Sequence, residues 1–236
     1  MKAVVLAGGK GTRLAPYTKI LPKPLMPVSD MPILEVLIWQ MRRCGIDEII
    51  LTVGHLSGLL ESFFQDGSRF GVRIAYSHED RPLGTAGPLA NVEGLQDTFL
   101  VTNGDVLTNL DFRTLVEFHK LQGATATIAM HRRSIQIDYG VIECNGGYEI
   151  ENYIEKPSLK YTVSMGVYVF EPKVVGYIPR GSYMDFPDLV LRLLENGEKV
   201  IGFPFDGYWQ DLGRPDDYER ATGDFERMRE EFLGET

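Results

Sequence analysis

Apolar positions along the chain follow two periods in turn. Lys2 to Leu6 is a short run rich in β-branched residues, as a buried parallel strand requires, and it breaks into a glycine-rich loop from Ala7. Ile33 to Cys44 then places Leu34, Leu37, Ile38 and Met41 at helical spacing, and Gly45 can end that helix in a left-handed cap. Glu48 to Val53 reads as the second strand. The alternation continues through a helix from Ser57 to Gln65, a strand from Val72 to Tyr76, a helix near Thr85 to Asn91 and a strand from Thr98 to Thr102. Asp111 can cap a helix reaching Leu121, and Ala124 to Met130 is another buried strand.

Strands alternating with helices predict right-handed crossovers and a mainly parallel mixed sheet, hence an α/β, Rossmann-like three-layer sandwich. From Tyr139 to Phe170 the pattern turns strand-rich around an Asn145-Gly146-Gly147 turn, which reads as hairpins added to the sheet. Helices return at Phe186 to Asn196 and from Asp216 to the end. In that tail Tyr218, Ala221, Phe225, Met228 and Phe232 recur at helical intervals. The tail is expected to pack on the body, with a homodimer contact as its other reading.

With 236 residues and 44% of positions apolar, the chain can bury one large core. A net charge of −9 supplies no global basic field, so nucleic acid is not an expected partner and a phosphate ligand must meet local positive charge. The two cysteines, Cys44 and Cys144, have no partners at metal-like spacing, which argues against a zinc site or a disulfide framework. No apolar run reaches membrane-span length and no charged leader precedes one, so a soluble, cytoplasmic protein without membrane contact is expected.

The glycine loop carries the chemistry. A dinucleotide turn needs a third glycine, which is missing after Gly9 and Gly11, and Pro16, Pro22, Pro24 and Pro27 prevent a long helix from starting there. A P-loop needs Ser or Thr after Gly-Lys, where this chain has Gly11. What remains is a set of small residues, Ala7, Gly8, Gly9 and Gly11, that expose backbone N–H groups at the carboxyl end of the first strand. Thr12 adds a hydroxyl, Arg13 a planar fork for phosphate oxygens, and Lys23 an ammonium that its flanking prolines hold extended.

The string Leu6-Ala7-Gly8-Gly9-Lys10-Gly11-Thr12-Arg13-Leu14, followed by Pro22-Lys23-Pro24-Leu25, resembles the signature of the sugar-1-phosphate nucleotidyltransferases. The resemblance continues in order through Gly84-Thr85-Ala86-Gly87, Asn103-Gly104-Asp105, Tyr139-Gly140-Val141, Glu155-Lys156-Pro157, Gly166-Val167-Tyr168 and Trp209-Gln210-Asp211-Leu212-Gly213. It implies one domain over residues 1–236, with a nucleotide-binding half at 1–110, a sugar-binding half at 111–214 and a C-terminal helix at 215–236.

The implied reaction is attack of a sugar-1-phosphate oxygen on the α-phosphate of an NTP, giving nucleotide-sugar and pyrophosphate. The resemblance makes Arg13, Lys23, Asp105 and Lys156 catalytic, and Asp105 with Asp211 the Mg²⁺ ligands. It assigns Leu6, Ala7, Gly8, Gly9, Gly11, Thr12, Arg13, Gly84, Thr85 and Gly87 to the nucleotide. It assigns Lys23, Gly140, Glu155, Lys156, Ser164 and Gly166 to the sugar phosphate. The wording from Ser77-His78-Glu79 through Leu89 looks most like guanylyltransferases acting on mannose-1-phosphate, which favours GTP. Lys23-Pro24-Leu25-Met26 departs from the thymidylyl pattern of Lys-Gln-Leu-Leu. Ser164 stands where the family often has Asn, which leaves heptose, glucose and N-acetylated sugars open beside mannose, and UTP, CTP or dTTP with a sugar 1-phosphate or phosphocholine remain alternative pairings. A catalytically silent regulatory subunit is the competing class; the intact charged set argues against it.

Overall fold

The computed structural model describes residues 1–234. The chain enters as β1 (Lys2–Leu6), passes through three short 3-10 turns and a small hairpin, β2 (Pro27–Val28) and β3 (Met31–Pro32), and continues into α1 (Ile33–Arg43). Next come β4 (Glu48–Val53), α2 (Ser57–Phe64), β5 (Arg73–His78), β6 (Phe99–Asn103), β7 (Val106–Thr108) and α3 (Phe112–Gln122). A strand-rich stretch follows: β8 (Ala126–Gln136), β9 (Val141–Cys144), β10 (Ile150–Ile154) and β11 (Ser158–Phe170). The chain closes with α4 (Phe186–Glu195), β12 (Val200–Phe205), β13 (Trp209–Asp211), α5 (Pro215–Arg227) and α6 (Arg229–Leu233).

Seven strands form one sheet in the order β12-β8-β11-β6-β1-β4-β5. Neighbours run parallel except at β11, which is antiparallel to both β6 and β8. Alternate residues of β1 serve opposite faces. Ala3 and Val5 join Leu34, Leu37 and Met41 of α1 and Leu60 and Phe64 of α2, while Val4 joins Leu189 and Leu193 of α4. Two apolar layers of this kind, one on each side of the sheet, make the three-layer sandwich that the sequence pattern predicts.

Three elements differ from expectation. The helix expected near Thr85 to Asn91 is a 3-10 turn over Gly87–Asn91, because the Ala86 and Gly87 N–H groups donate sideways to the Met184 carbonyl and Pro88 has no N–H to give. The added hairpins divide: β8 and β11 belong to the main sheet and run on past it, whereas β9 and β10 pair only with each other. The tail helix is broken at Met228 into α5 and α6. It lies on the body, with Ala221, Phe225 and Phe232 buried against Val28, Ile33 and Leu212, and its last two positions, 235 and 236, fall outside the described residues. Among the described residues no helix is long and apolar enough to cross a membrane.

Candidate active site

β4, the next strand of the main sheet in sequence, pairs on one side of β1 and the later β6 on the other, so a crevice opens beyond their carboxyl ends. A cavity of about 340 Å³ fills it. Every residue expected at the nucleotide except Gly87 lines this cavity, together with Lys23 and Asp105.

The loop is folded over by Thr18, whose hydroxyl donates to the Gly11 carbonyl at 2.8 Å. Gly11 has φ +59°, and a Cβ there would lie 2.9 Å from Thr18 Cγ2 and 3.3 Å from Lys23 Cβ, so only glycine lets the chain return this closely. The return brings Lys23 back to the strand ends. Pro22 is extended, as its type demands, but Lys23 itself opens a 3-10 turn and is buried.

The two aspartates meet through a pairing that joins distant segments. In the β7–β13 ribbon Asp211 faces Val106, and the Leu212 N–H donates to the Asp105 carbonyl at 3.2 Å. Lys23 Nζ donates to Asp105 Oδ2 and lies 3.7 Å from Asp211 Oδ1. Burial pushes the Asp211 carboxyl above its usual range, and the nearby Asp105 charge adds to this, opposed by Lys23 and Arg13. Arg13 lies over Gly213, where a Cβ would stand 3.2 Å from its Nη1.

This donor set suits Mg²⁺: two carboxylates converge beside the glycine-loop cavity, and the like-charge penalty on Asp211 is one that a bound cation relieves. Among the described residues no group of three or more His, Cys, Asp or Glu gathers to enclose a metal. A hard ion that completes its shell with water and phosphate oxygens needs no more than two protein carboxylates.

Glu79 also lines the cavity, a residue that stands within the Ser77-His78-Glu79 wording and has no role of its own in the sequence reading. Its carboxylate accepts from the Leu83 N–H at 3.1 Å and lies against Gly8, and burial pushes its carboxyl up. A wider cavity of about 630 Å³ shares Gly8, Gly9, Glu79, Gly84 and Thr85 with the first and extends past Tyr183 and Asp185. The Thr85 N–H and hydroxyl both donate to Asp185 Oδ1, at 2.9 and 3.2 Å, and the Phe186 N–H donates to Thr85 Oγ1. Gly84 and Thr85 are therefore fixed against the start of α4. Gly87 serves by packing: it is buried, and a Cβ on it would stand 2.8 Å from the Ser182 carbonyl.

The residues expected at the sugar phosphate separate into two groups. Ser164 and Gly166 lie at a bulge in β11, where Gly166, with φ +72°, packs against the Asn103 side chain at the cavity wall. Gly140, Glu155 and Lys156 lie on an arm built from the outer ends of β8 and β11 and the β9–β10 hairpin, and they do not line the cavity. Asn103 and Glu79 are lining residues that the sequence reading left unassigned.

The description of the nucleotidyl transferase family matches residues 2–227. The chain is 38% identical to a UTP–glucose-1-phosphate uridylyltransferase of Synechocystis, over 94% of this chain and 62% of the relative. It is 37% identical to a mannose-1-phosphate guanylyltransferase of Mycobacterium tuberculosis, over 95% and 64%. It thus spans somewhat under two thirds of the length of these curated relatives. The crystal structure of HddC from Yersinia pseudotuberculosis is similar with a TM-score of 0.74 and 25% identity, covering 95% of this chain and 99% of that one.

Proposed function

We infer, from a chain that belongs to the nucleotidyl transferase family, that this protein transfers a nucleotidyl group from an NTP to a sugar 1-phosphate and releases pyrophosphate. The observation that carries this reading is the meeting of Lys23 and Asp105, which line the glycine-loop cavity, with Asp211, 3.7 Å from the Lys23 ammonium.

In this reading a phosphate oxygen of the sugar 1-phosphate forms a bond to the α-phosphorus, and the bond from that phosphorus to the bridging oxygen breaks as pyrophosphate leaves. The nucleophile is ionised at neutral pH, so no general base is required; the work is to hold three charged groups in line. The loop N–H groups, Thr12 and Arg13 take the leaving pyrophosphate, and Lys23 pairs with the phosphate that is transferred. Asp105 and Asp211 would hold Mg²⁺, which when bound neutralises phosphate charge. Gly140, Glu155, Lys156, Ser164 and Gly166 serve the sugar phosphate, with mannose-1-phosphate or a related sugar as acceptor, and a cytoplasmic NTP pool suits the reaction.

Glu79 supports GTP as the donor. A carboxylate that lines the cavity can accept from the adjacent N1–H and N2–H₂ groups of guanine, a pair that uracil and thymine lack. The Mycobacterium relative is named for the same nucleotide, whereas the Synechocystis relative is named for UTP.

The test is pyrophosphate release with Mg²⁺ from GTP, UTP, CTP, dTTP and ATP against a panel of sugar 1-phosphates. The expected result is turnover of GTP with a hexose or heptose phosphate. Turnover confined to UTP or CTP would keep the transfer chemistry and replace the base. Silence in every pair would overturn the reading in favour of a regulatory subunit.

A further inference from the structure

Asp105 and Asp211 meet because of the register of the β7–β13 ribbon. Thr108 stands opposite Trp209, Leu107 opposite Gln210 and Val106 opposite Asp211. Each strand is only three residues long, and among the described residues the ribbon pairs with no third strand. A two-stranded ribbon is marginal on its own. A slip of one residue would turn the Asp211 side chain to the opposite face, away from Asp105.

The end of the ribbon remote from the aspartates is fastened by side chains. The Asn109 N–H donates to the Tyr208 carbonyl at 3.2 Å, and the hydroxyl of the buried Thr108 donates to the same carbonyl at 2.8 Å. Asn109 Oδ1 accepts in turn from the Tyr208 N–H at 2.7 Å. A Cβ on Gly207 would stand 2.7 Å from Asn109 Oδ1, so glycine is what lets the chain approach this amide. Two further bonds reach the tail: Asn109 Nδ2 donates to Glu231 Oε2 of α6 at 2.9 Å, and the Tyr208 hydroxyl to Asp224 Oδ2 of α5 at 2.8 Å. Asp224 is buried and also accepts from Arg227. Sliding β13 by one residue would carry the Tyr208 hydroxyl about 3.3 Å along the strand and break its bond to Asp224.

We propose that Asn109 and Tyr208 are positioning residues for the transfer site, a clasp that ties the β7–β13 ribbon to the tail helices and thereby fixes the approach of Asp105 to Asp211. The inference rests on the reading of these aspartates as Mg²⁺ ligands. Tyr208 precedes Asp211 by three residues, roughly 10 Å of strand. Mg²⁺ takes its oxygens at about 2.0–2.1 Å with little tolerance, so a small shift passed along the strand weakens its binding. The tail thus acts on the site although no tail residue lines the cavity.

A titration of the full chain with Mn²⁺, followed by electron paramagnetic resonance without nucleotide, tests this beside thermal melts and steady-state kinetics. Asn109→Ala is expected to weaken Mn²⁺ binding on the order of tenfold and to raise the Mg²⁺ concentration that half-saturates turnover alike, with the KM for NTP unchanged at saturating Mg²⁺. Asn109→Asp combined with Glu231→Gln keeps the acceptor for the Tyr208 N–H and reverses the bond to the tail, so it should restore Mn²⁺ affinity. Tyr208→Phe, which removes only the bond to Asp224, should weaken Mn²⁺ binding in the same sense and serves if Asn109→Ala does not fold. Variants that melt lower and yet bind Mn²⁺ as the wild type does would show a merely structural role and overturn the proposal. A combined variant as weak as Asn109→Ala would overturn it too. Asp211→Asn separates the two levels of the argument: if it weakens Mn²⁺ binding and the clasp variants do not, the clasp fails and the reading of the aspartates stands. If Asp211→Asn leaves Mn²⁺ binding unchanged, both fail.

Discussion

Lys23 Nζ donates to the Asp105 carboxylate, joining residues 82 positions apart in the chain. The ammonium stands where two carboxylates would otherwise face each other, since Asp211 is its second neighbour. Lys23→Met therefore removes the cation proposed to meet the transferred phosphate and exposes a like-charge pair at once. Turnover is expected to fall on the order of a hundredfold with the fold intact. Without magnesium the variant should melt below the wild type, and added Mg²⁺ should raise its melting temperature by more than it raises that of the wild type. Equal magnesium responses would remove Lys23 from its place between the carboxylates.

Glu79→Gln tests the base. Glutamine keeps one acceptor and adds a donor, so it can no longer accept from both N1–H and N2–H₂ of guanine. The kcat/KM for GTP is expected to fall on the order of a hundredfold, while that for UTP is unchanged or rises, because a site built to bond two donors penalises the ligand that finds one unpaired. Burial already pushes this carboxyl above its usual range, so GTP affinity in the wild type should weaken with acid sooner than an exposed glutamate would allow. An unchanged GTP to UTP ratio would exclude Glu79 from base recognition.

Much of this site is legible in the linear sequence, and the boundary has physical causes. The strand Glu48 to Val53 is found with the limits its pattern gives, because Gly45 ends the preceding helix and the apolar residues are contiguous. The glycine loop is legible because its demands are local: small residues, a hydroxyl and a guanidinium directly after a strand. Asp105 and Asp211 cannot be seen to meet, since the β7–β13 pairing joins segments about a hundred residues apart. Glu79 was hidden for a similar reason. A glutamate before a Pro-Leu-Gly turn reads as a solvated loop residue until Gly8 of a different segment is placed against it.

The glycines divide by what surrounds them, and alanine at each should report that division. Gly84 has φ +80°, and a Cβ there would stand 2.5 Å from the Met184 carbonyl, so Gly84→Ala is expected to cost about 2 kcal/mol of stability from backbone strain and crowding. Gly9 lies outside the left-handed region of φ, and nothing lies within 4 Å of the position its Cβ would occupy. Gly9→Ala should melt with the wild type and yet raise the KM for NTP, since in the proposed function the added methyl stands where phosphate approaches the backbone. Thermal melts beside steady-state kinetics separate the two effects. A Gly9→Ala enzyme with normal KM would place the phosphates elsewhere on the loop.

Glu198 gives a pH dependence that is separate from the site. It precedes β12 at the amino end of the sheet, away from the cavity, and accepts from Lys173, from Thr125 Oγ1 at 2.6 Å and from the Tyr177 hydroxyl at 2.7 Å. These bonds, Lys173 foremost, hold its carboxyl down from 4.5 to about 2. A carboxyl that is more acidic folded than unfolded contributes stability that is fully present above its unfolded value and is lost as pH falls through its folded value. Wild type should therefore exceed Glu198→Gln in melting temperature most clearly above pH 4.5, with the gap closing as pH falls toward about 2. High salt should narrow the gap at neutral pH, because the Lys173 side chain is largely exposed and its charge is screened. Turnover at neutral pH and moderate temperature should match the wild type, since no cavity-lining residue touches this cluster. Melting curves for the two proteins that run parallel from neutral pH to pH 2 would mean that the carboxylate is not held by these partners in solution.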